Sequence, residues 1–344
     1  MDYLPISDNA ARQVIDASTI FEEWRRADKE ARPYVGGMYW KRQGEYEYLI
    51  KTLPDNRQNR IGPRSAKTEA IFNDFTGRKT AIEMRLKSLQ AALKEAERLN
   101  KAVKAGRVPS KVVAVLQALE DSGLGEHFRV VGTHALYAYE TAAGVRIVQG
   151  ALATQDVDLL WDAGRRVSFV TTMAKLDKSM LQVLQKAEPS FRRKEGQNET
   201  AIDDKGFEVD FLRRENTEGD LHPFRFTDDV EDLWPVQAER AAVLTSTPLF
   251  EHLVISATGR MALMRTIDPI VFARFKRWMA DNAKHRPDAK RRRDVRQAEI
   301  VEALLNEGLL LTQVVATARN PQPARGAELV STQEPSDSGG SVTP

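Results

Sequence analysis

Two short segments of this chain alternate carboxylate with hydrocarbon at a period of two, and nothing else in it limits the fold as tightly. They read Thr154-Gln155-Asp156-Val157-Asp158-Leu159-Leu160 and Phe207-Glu208-Val209-Asp210-Phe211-Leu212. Side chains of a strand alternate faces, so Asp156 and Asp158 share one face while Val157 and Leu159 share the other. In the second segment Phe207, Val209 and Phe211 take the buried face, and Asp210 lies opposite with Glu208. If the two strands pair, three carboxylates converge on one patch, which is what holding two divalent cations for phosphoryl chemistry requires.

Composition narrows which cation and which compartment to expect. The chain has 344 residues, enough for two or three domains with their own cores, and is 42% hydrophobic and 29% charged. No apolar run reaches membrane-spanning length, and the start, Met1-Asp2-Tyr3-Leu4-Pro5, lacks the basic and apolar regions of a signal peptide. Cysteine is absent, which excludes disulfides and thiolate metal sites. The five histidines form no His-x-x-His pair, which argues against zinc. The expectation is a cytoplasmic protein with no membrane partner, and a hard cation on oxygen ligands. The net charge of +2 announces no polyanion by itself. One basic run, Lys284, His285, Arg286, Lys290, Arg291, Arg292, Arg293 and Arg296, reads first as a solvated helix face.

Along the chain, residues 8–32 read as an amphipathic helix. Met38-Tyr39-Trp40-Lys41 and Tyr46-Glu47-Tyr48-Leu49-Ile50-Lys51 read as a hairpin around Gly44, with a polar linker over 54–65. A long helix follows, with Phe72, Phe75, Ile82, Leu86, Leu89, Leu93, Ala96 and Val103 along a heptad seam and Lys79 and Asn100 at two of its core positions. Packing on the chain's own hairpin or helix and pairing in a homodimer both satisfy that seam. Gly106 and Pro109 end the segment. Ser110 is expected to cap a helix closing at Gly123-Leu124-Gly125, followed by a buried strand over 128–131 and a helix over 134–143. A helix over 172–186, a hairpin turn over 201–207 and a helical pattern over 249–310 complete the ordered part. After Ala316 the chain turns Pro-, Gly- and Ser-rich, the composition of disorder. The expected organisation is an N-terminal region to 109, a core over 110–240, a C-terminal helical domain over 241–316 and a disordered tail over 317–344.

Gly132 lets backbone approach a ligand closely, and Thr133 is placed at a helix start, where free N–H groups suit a phosphate. Cations held by Asp156 and Asp158 would bridge phosphate oxygens, and Asp210 would complete a site and orient an attacking hydroxyl. These residues resemble the nucleotidyltransferase superfamily of the polymerase-beta type, whose motif is a Gly-Ser or Gly-Gly turn, then hydrophobic-Asp-x-Asp/Glu-hydrophobic, then a third acid on a later strand. Gly132-Thr133, Asp156, Asp158 and Asp210 stand in those places. Thr133 replaces the commoner Ser, and the gap to Asp156 is lengthened around 144–150. A closer similarity is to a bacterial group of nucleotidyltransferase-like proteins related to AbiEii-type toxins. It is carried by Gly132-Thr133-His134-Ala135-Leu136-Tyr137-Ala138-Tyr139-Glu140, by Ala153 to Leu160, by Pro269 to Lys276 and by Lys290 to Ala298. It runs from about residue 34 to 312, with the superfamily core over 110–215.

The resemblance implies an α+β fold: a nucleotidyltransferase-type mixed sheet flanked by helices, with the hairpin and long helix before it and a helical domain after it. It implies transfer of a nucleoside monophosphate from an NTP to a hydroxyl of RNA, a protein side chain or a small molecule, dependent on magnesium or manganese, in a toxin-type enzyme or another transferase. Asp156, Asp158 and Asp210 would be catalytic and metal-binding. Gly132, Thr133, Lys276, Lys290 and Arg213 would meet the triphosphate, with Arg214 and Arg293 as further candidates. The alternative is a binding module that kept the fold and lost the chemistry. His134 reads as packed or capping, and Trp161, Trp234 and Trp278 as core or edge aromatics.

Overall fold

The computed structural model of the chain describes residues 2–54, 56–217, 224–283 and 286–312. The tail expected to be disordered, and Lys284 and His285 of the basic run, lie outside the described residues.

The N-terminal part contains β1 (Tyr3–Pro5), α1 (Asp8–Ala31), β2 (Gly37–Gln43), β3 (Tyr46–Thr52), β4 (Gln58–Pro63) and α2 (Ala66–Ala102). Ser7 caps α1 through the backbone N–H of Ala10, and Ser65 with Thr68 closes a capping box at the start of α2. The expected hairpin forms, but the polar linker after it is a third strand. β2, β3 and β4 make an antiparallel sheet in that order. The residues of β4 are exposed or nearly so, which is why no apolar pattern announces it.

Within the chain, α1 and the small sheet fill the seam of α2. At its start Phe72 meets Trp40 with ring centroids 5.8 Å apart, and Phe75 meets Tyr34 at 5.4 Å. The Lys79 ammonium is bound by the carbonyl of Gly36. Midway, Arg85 pairs with Glu23 at 2.7 Å and Glu30 at 3.0 Å on α1. At its end Asn100, 1% exposed, donates to the carbonyl of Gly259 at 3.1 Å and accepts from Gln13 at 2.9 Å. A polar residue in an apolar seam thus fixes the packing of α2 on its own chain.

The remaining elements are α3 (Ser110–Asp121), β5 (Phe128–Val131), α4 (Leu136–Ala142), β6 (Val145–Ile147), α5 (Gln149–Leu152), β7 (Asp156–Trp161), α6 (Arg166–Leu176), α7 (Met180–Gln185), β8 (Arg192–Lys194), β9 (Gln197–Ile202), β10 (Glu208–Arg213), β11 (Val236–Gln237), α8 (Ala241–Thr245), β12 (Leu249–Ile255), β13 (Met261–Ile267), α9 (Pro269–Asn282) and α10 (Asp288–Asn306). One mixed sheet runs β12-β13-β5-β7-β10-β9-β8, with β11 added beside β10. β7 and β10 lie parallel, β5 antiparallel to β7, and β1 pairs separately with β6. The α+β class and the mixed sheet flanked by helices are as the sequence implies. No helix among the described residues is long and apolar enough to cross a membrane.

Several local expectations need correcting. Ser110 begins α3 without capping it, its hydroxyl lying 3.2 Å from that of Thr258. The helix expected over 172–186 starts earlier and is split at Asp177, which takes a left-handed conformation (φ 49°). The chain over 249–267 is not helical: β12 and β13 form a hairpin, and β13 continues the sheet parallel to β5. That hairpin ties the segment expected to be a separate helical domain into the main sheet. Leu253, Val254, Ile255, Met261, Ala262 and Met264 are all buried, and an apolar run buried on both faces carries no strand period.

Candidate active site

The register of the sheet builds the acidic patch. Asp158 lies directly beside Asp210 and Asp156 beside Glu208 on the parallel pair β7–β10. Beneath them Val157, Leu159, Val209 and Phe211 are fully buried, so the apolar face holds the strands while the other face presents acid. One carboxylate oxygen from each of Asp156, Asp158 and Asp210 lies within 4.8 Å of the other two. The fourth acid, Glu208, is taken up by the Lys194 ammonium at 2.7 Å.

Two threonines orient these acids. Thr200, opposite Asp210 on β9, donates its hydroxyl to Oδ1 of Asp210 at 2.6 Å, and the Thr154 hydroxyl is bound by Asp156. Neither is marked in the sequence by anything beyond its place on or before a strand. Gly132 follows Val131, the β5 residue paired with Asp158, and has φ +67°. A Cβ there would collide with the Asp158 carboxylate, so glycine is required both by the backbone and by the acid.

The electrostatics separate the three acids. Burial first, then the charges of Asp156 and Asp210, push Asp158 up to about 7, against the pull of Lys276 and Lys290. Burial also acts to raise Asp156, but the Thr154 hydroxyl, its own backbone N–H, His134 and Lys290 favour the charged form and hold it below its ordinary value. Asp210 is raised by burial and, beyond the opposing Thr200 bond, by Asp156, Glu208 and Glu199. A patch in which a carboxylate is driven toward its neutral form by its neighbours is short of positive charge. The donor set is all hard oxygen, and its spacing suits cations held at about 2 Å from each ligand, paired about 4 Å apart. The residues therefore fit a divalent metal.

The other candidates divide. Lys276, on α9, is 5% exposed; its ammonium donates to Asp294 at 3.0 Å, and Asp294 also binds Arg286. Burial lowers Lys276 from its ordinary value, while Asp294 and Asp158 help keep its proton. Lys290, on α10, is exposed, makes no ion pair among the described residues, and acts through its field on both Asp156 and Asp158. Among the described residues, the rest of the basic run is mostly held by other parts of the chain. Arg291 binds the carbonyls of Ala280 and Ala283 at the end of α9, Arg293 donates to the Ala153 carbonyl at 2.7 Å, and Arg296 pairs with Asp2 at 2.8 Å.

Two triphosphate candidates are placed otherwise than expected. Arg213 has the parity of Val209 and Phe211, so it lies on the sheet face opposite Asp210; it is 5% exposed and bonded to the Pro235 carbonyl at 3.2 Å. Thr133 is 5% exposed and its hydroxyl accepts from Gln297 at 3.2 Å. It sits in a tight 3₁₀ turn over Gly132–Ala135, with the helix itself beginning only at Leu136. Gln297, missed in the sequence, also donates to the Ala151 carbonyl at 2.6 Å and fastens the turn to α10. Arg214 donates to the Glu215 carbonyl and to Thr217. His134 is buried against Tyr137, and burial outweighs Asp156 to hold its imidazole down to about 4, hence neutral at ordinary pH. Trp161 is 3% exposed and stacked on Phe224 at 4.3 Å, Arg225 lies over Trp234, and Trp278 pairs with Phe275.

A family model described as nucleotidyltransferase matches residues 110–320, more than half of the chain. No curated protein and no solved structure matches it significantly.

Proposed function

The chain belongs to the nucleotidyltransferase family, and from that premise we propose that it transfers a nucleoside monophosphate from an NTP to a hydroxyl acceptor, with Asp156, Asp158 and Asp210 as the catalytic acids. The observation that carries this is the convergence of three carboxylate oxygens within 4.8 Å behind Gly132. The acceptor oxygen attacks the α-phosphorus, the bond to the bridging oxygen of pyrophosphate breaks, and the products are the phosphodiester and pyrophosphate. Magnesium or manganese held by the three acids would neutralise charge on the phosphates and lower the barrier to in-line displacement.

The chain's own groups supply positioning. Thr154 and Thr200 fix the rotamers of Asp156 and Asp210, so the oxygens point into the patch before any ligand arrives. Asp210 accepts the proton of the attacking hydroxyl, a role its raised proton affinity suits. The bare backbone of Gly132 admits a phosphate next to Asp158. Lys290, without an ion pair among the described residues, offers a cation for the departing pyrophosphate, and Lys276, held by Asp294, adds a second positive charge that acts on Asp158.

The test is incubation with each labelled NTP, magnesium and cell extract, comparing the natural chain with Asp156→Ala/Asp158→Ala. Label should pass to an acceptor only with the natural chain. Labelling that survives the double substitution would sink the assignment.

A further inference from the structure

The sheet carried at the start of α2 has one face turned away from the helix, and its residues have no role in the chemistry above. Trp40, Glu47, Leu49 and Lys51 face α2: Trp40 lies on Phe72 and opposite Leu49, and Lys51 sits over the Phe75 ring. Parity then puts Tyr39, Lys41 and Gln43 of β2 on the outer face, opposite Ile50, Tyr48 and Tyr46 of β3. Arg60 of β4 stands opposite Ile50 and Pro63 opposite Tyr48. Tyr39 is 37% and Tyr46 64% exposed, and Lys41, Gln43 and Arg60 are exposed with them.

These side chains form a surface of rings and cations. Tyr46 and Tyr48 lie with centroids 6.5 Å apart, and the Arg60 guanidinium is stacked 3.3 Å over the Tyr48 ring. The segment 37–67 holds seven cations (Lys41, Arg42, Lys51, Arg57, Arg60, Arg64, Lys67) against three anions (Glu45, Glu47, Asp55), a net +4, although the whole chain carries only +2. Arg64 is spent on Glu47 and Glu69, at 2.6 and 2.8 Å. Lys41 and Arg60 make no ion pair among the described residues and stand on the outer face. Strands about 4.8 Å apart with same-face residues about 7 Å apart give a patch on which two or three bases can lie.

We propose that the outer face of the β2–β3–β4 sheet binds single-stranded nucleic acid, with bases stacking on Tyr46, on Tyr39 and on the Arg60 guanidinium plane that covers Tyr48, and backbone phosphates meeting Lys41. Exposed tyrosines interleaved with cations match a polyanion that presents flat π-faces at each phosphate step. Among the described residues, the outer-face positions of the three strands carry no acidic side chain to meet a basic partner, and of their apolar side chains Ile50 is buried while Pro63 is exposed at the rim. Resting on the reading above, this narrows the acceptor to a nucleic acid terminus, while the binding itself stands apart from the aspartates.

The experiment is fluorescence anisotropy of the full chain with a labelled mixed-sequence 12-nucleotide RNA, the DNA of the same sequence, and a duplex, each at several salt concentrations. The single strands should bind more tightly than the duplex, with affinity falling as salt rises. Preference between RNA and DNA identifies which strand is the natural one. Tyr46→Ala/Tyr48→Ala and Lys41→Glu/Arg60→Glu should each lose about tenfold or more in affinity while keeping the circular dichroism and melting of the natural chain. Lys178→Glu, at an exposed position of the main body, should bind as the natural chain does. Asp156→Ala/Asp158→Ala should also bind undiminished, so loss of transfer and loss of binding are read separately. The proposal is overturned by a natural chain that binds neither strand, by folded sheet variants that bind as well as it does, or by equal weakening from Lys178→Glu.

Discussion

The apo site works against the fold that carries it, and Asp158→Asn measures by how much. The Asp158 carboxyl is raised to about 7 in the folded chain from an ordinary 3.8, by burial first and then by Asp156 and Asp210. Between those two values the folded chain keeps a proton that the unfolded chain has released. Stability of the metal-free protein therefore falls as pH rises through that window, and the full penalty is present by pH 8. About three pH units at 1.36 kcal/mol each set an upper bound of about 4 kcal/mol. Water on the exposed side of the patch screens this, so about 2 kcal/mol is a working value. Asparagine keeps the shape without the charge. In chelator at pH 8 the Asp158→Asn protein should melt several degrees above the natural chain, and at pH 5 the gain should be less than half as large. Magnesium at pH 8 should raise the melting temperature of the natural chain and do little for the variant. A variant no more stable than the natural chain at pH 8, or an advantage indifferent to pH, refutes the account.

Other expectations follow from single contacts. Gly132→Ala places a side chain at φ +67° against the Asp158 carboxylate, so the fold should lose about 1 kcal/mol or more, and the stabilisation by magnesium should drop out of proportion in a thermal titration. Asn100→Ala strips the side-chain donor from the Gly259 carbonyl in a buried seam and leaves the Gln13 amide only its longer bond to the Ala96 carbonyl. Melting should report a loss of about 1–3 kcal/mol with the magnesium response unchanged.

Much of the site is written locally. Alternation alone places Asp156, Asp158 and Asp210 on one face and Val157, Leu159, Val209 and Phe211 on the other, and the pairing of β7 with β10 in matching register then does the rest. The same parity sets Arg213 on the face opposite the three acids, and that placement is also legible in the sequence. What cannot be read is mostly long-range. Gln297 acts through Thr133 and Ala151, far away in the chain, and nothing in its neighbourhood marks it. Thr200 is only ten residues from Asp210 across a hairpin, but its register against that acid is set by the turn and not by its residue type. β13 and the second half of β12 are buried on both faces, so their apolar runs match a helix as well as a strand. β4 fails in the opposite way, being exposed along its length and held by backbone bonds to β3 rather than by hydrocarbon.

The anchoring of α2 at Asn100 has a mechanical consequence. From Phe72 to Asn100 the helix runs for about 42 Å at 1.5 Å per residue, and α1 stiffens it through the ion pairs of Arg85. Such a rod acts as a lever: a tilt of about 5° at its root moves the small sheet by nearly 4 Å, roughly the spacing of one stacked base. The hydrogen bond from Asn100 to Gly259 at the β12–β13 turn, with the one from Gln13 on α1, thus sets the sheet's position on an enlarged scale. An error too small to disturb the core there would be felt as a whole step of misalignment at the tip.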